Sequence, residues 1–104
     1  MDEKKLRKAV RQKEIVWNKH TFERMLEREI SRKDIIEVIL KGEAIEDYPD
    51  DKPYSSALIF GKVGKKPMHV VAALDNNNDI CYIITAYYPD DKHFEHDYKT
   101  RKRK

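Results

Sequence analysis

His20, Arg24 and Arg28 are spaced by four. On a helix each such step drifts by only about 40°, so the three side chains form one basic ridge. An imidazole beside two guanidinium groups is what phosphoryl chemistry on RNA requires, a proton carrier with charge clamps for the phosphate. Glu23 and Glu27 interleave the ridge, so a solvated helix face fits the same spacing. His69 stands in a stretch that alternates like a strand. Alternation groups it with Ile59, Val71 and Ala73, and gives Ile84, Ala86 and Tyr88 as cross-strand neighbours. A lone strand histidine also suits a satisfied core position. Tyr82, Tyr87 and Tyr88 lie close by in sequence. Phenols and an imidazole on a sheet facing a basic helix could stack a base and move a 2′-hydroxyl proton.

Other chemistries find less to work with. His93 and His96 have an i, i+3 spacing that suits a metal, but no HExxH-type motif or cysteine pair accompanies them. Gly42, Gly61 and Gly64 match neither GxxxxGK[ST] nor GxGxxG, which disfavours nucleotide cofactors. The expectation is therefore no cofactor and no metal. Cys81 alternates with apolar neighbours and reads as a small buried residue. As the one cysteine it excludes an internal disulfide framework and suits a reducing, cytoplasmic setting. No apolar run approaches the roughly 18 residues needed to span a bilayer.

The elements that must position these residues can be read in order. With 104 residues, the chain has room for one domain with a modest core. Lys4 to Lys13 has helical propensity, but Leu6 and Val10 are its only sizeable apolar residues, which predicts an exposed or frayed helix. Asn18 can cap a helix over Lys19 to Glu29, where Phe22, Met25, Leu26 and Ile30 supply an apolar stripe opposite the basic ridge. Ser31 with Asp34 starts another helix, Ile35 to Leu40 give it a wide apolar face, and Gly42 stops it. Ala44 to Tyr48 reads as a short strand and Pro49 to Pro53 as a loop. Strands over Tyr54 to Val63, Met68 to Leu74 and Ile80 to Tyr88 are joined by Gly64 to Lys66 and Asn76 to Asp79. The pattern predicts an α+β fold, with N-terminal helices on one face of a three- to four-stranded antiparallel sheet.

Charge is segregated. Residues 1–30 hold nine basic and six acidic side chains, residues 31–53 four and seven, and Lys99 to Lys104 five basic ones. Basic ends on a neutral apolar centre suit a polyanion. Lys62, Lys65, Lys66, Lys99 and Arg101 would supply that attraction, the last two from a flexible basic tail beginning at about residue 99.

The segments HTFERMLEREISRKDIIEVILKGEAIEDYPDDKPYSSALIFG, GKKPMHVVAAL and IITAYYPD resemble a bacterial and archaeal family, domain of unknown function 4258, over roughly Trp17 to Arg101. That family is grouped with RelE-like and BrnT-like toxins of type II toxin-antitoxin systems, which are small α+β ribonucleases. Its His-x3-Arg-x3-Arg helix falls on His20, Arg24 and Arg28, its Pro-x-His-Val-Val strand on Pro67, His69, Val70 and Val71, and its Thr-x-Tyr block on Thr85 and Tyr87. Members often read Tyr-Pro-Ser-Cys where this chain has Tyr54-Ser55-Ser56-Ala57, so no thiol is essential there. The resemblance implies a single RelE-like domain and metal-independent cleavage of mRNA, on the ribosome or free. Arg24 and Arg28 would hold the phosphate, His20 or His69 would act as base or acid, and Tyr87 would orient the substrate. It also implies a cognate antitoxin, of a kind that carries a zinc-finger domain beside similar proteins. A noncatalytic module that binds nucleic acid or protein is the alternative.

Overall fold

The structure is a computed structural model that describes residues 1–90 and 94–101. The fold is α+β. In chain order the described elements are α1 (Glu3–Arg11), β1 (Ile15–Trp17), α2 (Lys19–Glu27), α3 (Arg32–Lys41), β2 (Glu43–Tyr48), β3 (Ser56–Val63), β4 (Lys66–Asp75) and β5 (Ile80–Tyr87). The strands form one mixed sheet in the order β1-β5-β4-β3-β2. The sheet is therefore neither limited to four strands nor wholly antiparallel. β1 pairs with β5 in parallel, Ile15 opposite Cys81 and Trp17 opposite Ile83. A three-residue strand is too short to show alternation, and its partner lies 66 residues away, which is why local pattern does not reveal it.

Packing against the helices distinguishes the two sheet faces. Met68, Val70, Ala72 and Leu74 of β4, with Ile59 of β3 and Cys81, Ile83 and Ala86 of β5, pack against the helices and form the core. α3 contributes Ile35, Val38 and Ile39. Its Ser31 cap accepts a hydrogen bond from the Asp34 amide at 3.1 Å, as the sequence predicts. Gly42 does end α3, but for steric reasons: its φ is −84°, and a Cβ there would collide with the carbonyl oxygens of Val38 and Phe60. Gly61 works with it, since a Cβ at that position would meet the Val38 side chain at 3.0 Å. Two missing side chains thus bring α3 down onto β3.

α1 departs from expectation by being firmly docked. Leu6, Ala9 and Val10 are buried, because the small Ala9 lets the helix approach closely and adds a third inward position between the two larger ones. α1 and α2 each end without a glycine. Lys13 and Glu29 take left-handed φ values of 62° and 56°, and the following amides of Glu14 and Ile30 return to the carbonyls of Ala9 and Met25, both at 2.9 Å. α2 consequently stops at Glu27, and Ile30 turns into the core.

His69 lies on the face opposite the one expected, away from the helices. The β3–β4 turn is Gly64-Lys65 alone, with Val63 opposite Lys66, so His69 pairs with Phe60 rather than sharing a face with Ile59. A one-residue change in turn length reverses which side every residue faces. On β5, a bulge between Val71 and Ala72 of the register leaves Ile84 without an opposite number and brings Tyr87 across from His69 in place of Ala86.

The docking of α1 makes a measurable claim. Leu6→Ala is expected to cost about 2–5 kcal/mol in denaturant unfolding, the usual range for a truncated core leucine. A frayed, exposed helix would lose only a few tenths.

Candidate functional site

The site starts from an unfinished edge. β1 ends at Trp17, opposite Ile83, so from there on, among the described residues, β5 has an outer edge with no strand beside it. Carbonyl groups on such an edge need donors or water. α2, which begins two residues after β1, supplies them. The Thr21 hydroxyl is buried and shares its proton between the carbonyls of Ile83 and Ile84, at 3.0 and 2.9 Å. Arg28 Nη1 donates to the Ala86 carbonyl at 2.8 Å and the Thr85 hydroxyl at 3.3 Å. Asn18 caps the helix by accepting from the Thr21 amide at 2.8 Å. The inward face of α2 is therefore Thr21 and Met25, and the C-cap Arg28, at i+7 from Thr21, reaches β5 from the end of the helix. Because α2 lies at the sheet margin, Phe22 and Leu26 of the expected apolar stripe stay 41% and 69% exposed, and Arg32 sits 4.8 Å over the Phe22 ring.

His20 and Arg24 flank that inward face. With Lys19, Thr21, Ile84 and Thr85 they line an open depression of about 540 Å³ between α2 and β5. The His20 side chain is 94% exposed and lies 4.0 Å from Glu23, while Arg24 pairs with Glu27 at 3.1 Å. Exposed pairs of this kind contribute little and exchange readily for another anion. The first turn of α2 carries no acidic residue, so its partial positive end adds to the charge of Lys19. His20 and Arg24 thus share one depression, whereas Arg28 turns to β5 as a structural donor to Thr85 and Ala86 rather than continuing the ridge opposite Met25.

His69 does not join them. It is fully buried on the opposite sheet face, beneath residues 94–101. Its Nε2 lies 2.6 Å from the Tyr98 carbonyl oxygen, and since a carbonyl can only accept, that nitrogen carries the proton. Nδ1 is left to face the Tyr87 hydroxyl at 3.4 Å. The rings of Phe60, Tyr87 and Phe94 meet the imidazole edge-on, at centroid distances of 6.1, 5.4 and 4.5 Å. Burial holds His69 below its ordinary pKa, against the opposing pull of the Tyr98 carbonyl and Glu46. Burial likewise raises the pKa of Tyr87, so its phenol stays protonated. A histidine enclosed in this way positions Tyr87 and the chain above it; it cannot meet a substrate at His20.

The lysines and arginines expected to attract RNA fall into two groups. Lys62, Lys65 and Lys66 are exposed around the β3–β4 turn, with Lys66 Nζ 5.3 Å over the Tyr88 ring. Lys99 and Arg101, expected in a free tail, are instead tied to β2. Lys99 pairs with Glu43 at 2.6 Å, and Arg101 grips Glu46 through Nε and Nη2 at 2.7 and 3.1 Å. Although burial pushes the Glu46 carboxyl upward, Arg101 and Tyr48 hold it below the usual range. His93 and Lys102 to Lys104 lie outside the described residues. Burial pushes the Cys81 thiol up to about 12, which removes it as a nucleophile. Among the described residues, no group of three His, Cys, Asp or Glu could hold a metal ion, and no helix is long and apolar enough to cross a membrane.

Sequence reasoning overlooked Thr21 and named Thr85 only as part of the Thr-x-Tyr block that the resemblance picks out. The i, i+4, i+7 relation of Thr21, Met25 and Arg28 was the available signal, hidden because Phe22 and Leu26 form a more obvious stripe.

The family described as domain of unknown function DUF4258 matches residues 17–88, well over half of the chain, and the chain belongs to it. No curated protein and no solved structure matches.

The buried imidazole has a pH signature. Below its ordinary value of about 6.5 the unfolded chain takes up a proton that folded His69 resists, so protons favour unfolding. Stability is expected to be level above about pH 7 and to fall between about pH 6.5 and 5, before ordinary carboxylates titrate. His69→Gln should flatten that segment in urea unfolding series; an unchanged slope would assign it to other groups.

Proposed function

We propose that this member of the DUF4258 family is the toxin of a type II toxin-antitoxin pair, a RelE- or BrnT-like endoribonuclease that cleaves mRNA without a metal ion. The observation that carries the reading is a solvent-facing imidazole, His20, sharing a depression with Arg24 on a helix that Arg28 anchors to β5. The exposed lysines at 62, 65 and 66 support it, since Lys66 over Tyr88 brings the basic turn to the same end of β5. Nonspecific attraction of the strand would come from these charges.

In this mechanism His20 takes the proton of the ribose 2′-hydroxyl, and the 2′-oxygen attacks the adjacent phosphorus. The bond from phosphorus to the 5′-oxygen breaks, and that oxygen takes a proton from water, leaving a 2′,3′-cyclic phosphate. Arg24 neutralises charge that builds on the phosphoryl oxygens. Arg28 gives Nη1 to β5 and has further N–H groups to direct at the phosphate. Tyr87 orients the strand, and His69 acts through Tyr87 rather than on RNA. A cognate antitoxin, of a kind that in related systems carries a zinc-finger domain, would cover the ridge. The pairs of His20 with Glu23 and Arg24 with Glu27 favour one second reading, a module that binds an anionic partner without turnover.

Controlled expression should arrest growth, and purified protein should cleave cellular mRNA with or without ribosomes. His20→Ala is expected to lower the cleavage rate by about 10²- to 10⁴-fold, the usual contribution of a general base, with RNA affinity little changed. Arg24→Ala should weaken binding and reduce its salt dependence by about one phosphate contact. Salt-sensitive binding with no cleavage and no arrest would leave the noncatalytic module. Full cleavage by His20→Ala would remove His20 from the chemistry.

A further inference from the structure

A second depression, of about 240 Å³, opens at the end of β5 and is lined by Tyr87, Tyr88, Asp90, Phe94 and Arg101. It differs from the depression at α2 in both charge and chemistry. Asp90 and Arg101 carry opposite charges on its walls, so it offers a phosphate no net attraction. What it offers is flat surface. Tyr88 is 37% exposed, and Lys66 lies 5.3 Å over its ring. The Arg101 guanidinium is stacked 5.0 Å over the Phe94 ring, and its two-point grip on Glu46 fixes the orientation of its plane. Phe94 in turn rests on His69, 4.5 Å between ring centres. Phe94, edge-on to His69 and beneath the Arg101 guanidinium, forms the floor of the depression.

The geometry points to a binding site for one nucleobase of the strand whose phosphate lies at His20 and Arg24, an inference that rests on the RNA reading above. Aromatic rings and guanidinium planes are the surfaces on which unpaired bases stack. Placement agrees with this role. Thr85 lines the α2 depression and Tyr87 the second one. Two residues apart on a strand, they project from the same face about 6.6 Å apart, a span that one nucleotide can bridge. Arg28, bonded to Thr85 and Ala86, sits between the two sites. The strand would therefore cross the outer edge of β5 with a phosphate on the α2 side and a base between Tyr88 and Arg101.

The test separates base from backbone. Fluorescence anisotropy would measure binding of a short 2′-O-methyl RNA, which cannot be cleaved, and of an abasic 2′-O-methyl strand of equal length and charge. Wild-type protein should bind the base-bearing strand about tenfold or more tightly, the contribution expected of one stacked base. Tyr88→Ala should abolish that preference while leaving affinity for the abasic strand unchanged, and Tyr88→Trp should retain it. Arg24→Ala should weaken both strands alike. Equal affinity of the wild type for the two strands, or an unchanged preference in Tyr88→Ala, would overturn the base site and leave the RNA reading standing. Failure of the wild type to bind either strand at low salt would overturn both.

Discussion

The open outer edge of β5 is the constraint on which the rest of the molecule depends. β1 covers that edge only as far as Ile83. Beyond it, carbonyl oxygens would face an apolar helix or bare solvent, and an unpaired strand edge invites another chain to pair with it. Thr21 and Arg28 resolve this by donating to three of those carbonyls. Their spacing fixes both the position of α2 and its rotation, and the rotation decides which side chains are left outside. His20 and Arg24 then have no choice but to stand over Thr85.

The bulge at Ile84 belongs to the same arrangement. An extra residue in β5 changes which carbonyls point outward and moves Tyr87, in place of Ala86, opposite His69. The two faces of the sheet are thereby joined through one strand. On the helix side it carries the hydrogen bonds to α2; on the other it carries Tyr87 toward a buried imidazole that also holds the Tyr98 carbonyl. Residues 94–101 are fastened over that imidazole by Lys99 on Glu43 and Arg101 on Glu46. A histidine in such a place is a keystone of packing, and its chemistry is confined to hydrogen bonding.

Much of this was legible in the sequence wherever a local signal existed. Asn18 and Ser31 announced the starts of α2 and α3, and the β-branched runs announced β3, β4 and β5. The spacing of His20, Arg24 and Arg28 placed the first two correctly on one depression, while Arg28 turns to β5 instead. What remained hidden was non-local or a matter of single residues. β1 is three residues long and parallel to a distant strand, so nothing beside it in the chain marks it. The face of His69 turned on whether the hairpin used two residues or three, and the glycine and lysines there allow either. The inward role of Thr21 and the closeness of Ala9 escaped notice because small or polar residues do not draw an apolar stripe. Lys99 and Arg101 looked like the start of a free tail because their partners, Glu43 and Glu46, lie more than fifty residues earlier.

The central claim is that the hydroxyl of Thr21, committed to the carbonyls of Ile83 and Ile84, sets the position of His20 and Arg24. Its most direct test compares Thr21→Val, which keeps the shape and loses the donor, with Thr21→Ser, which keeps the donor, at a temperature where both are folded. RNA affinity measured for the two should match wild type in Thr21→Ser and fall several-fold in Thr21→Val. A folded Thr21→Val protein that binds RNA as tightly as wild type would contradict the account.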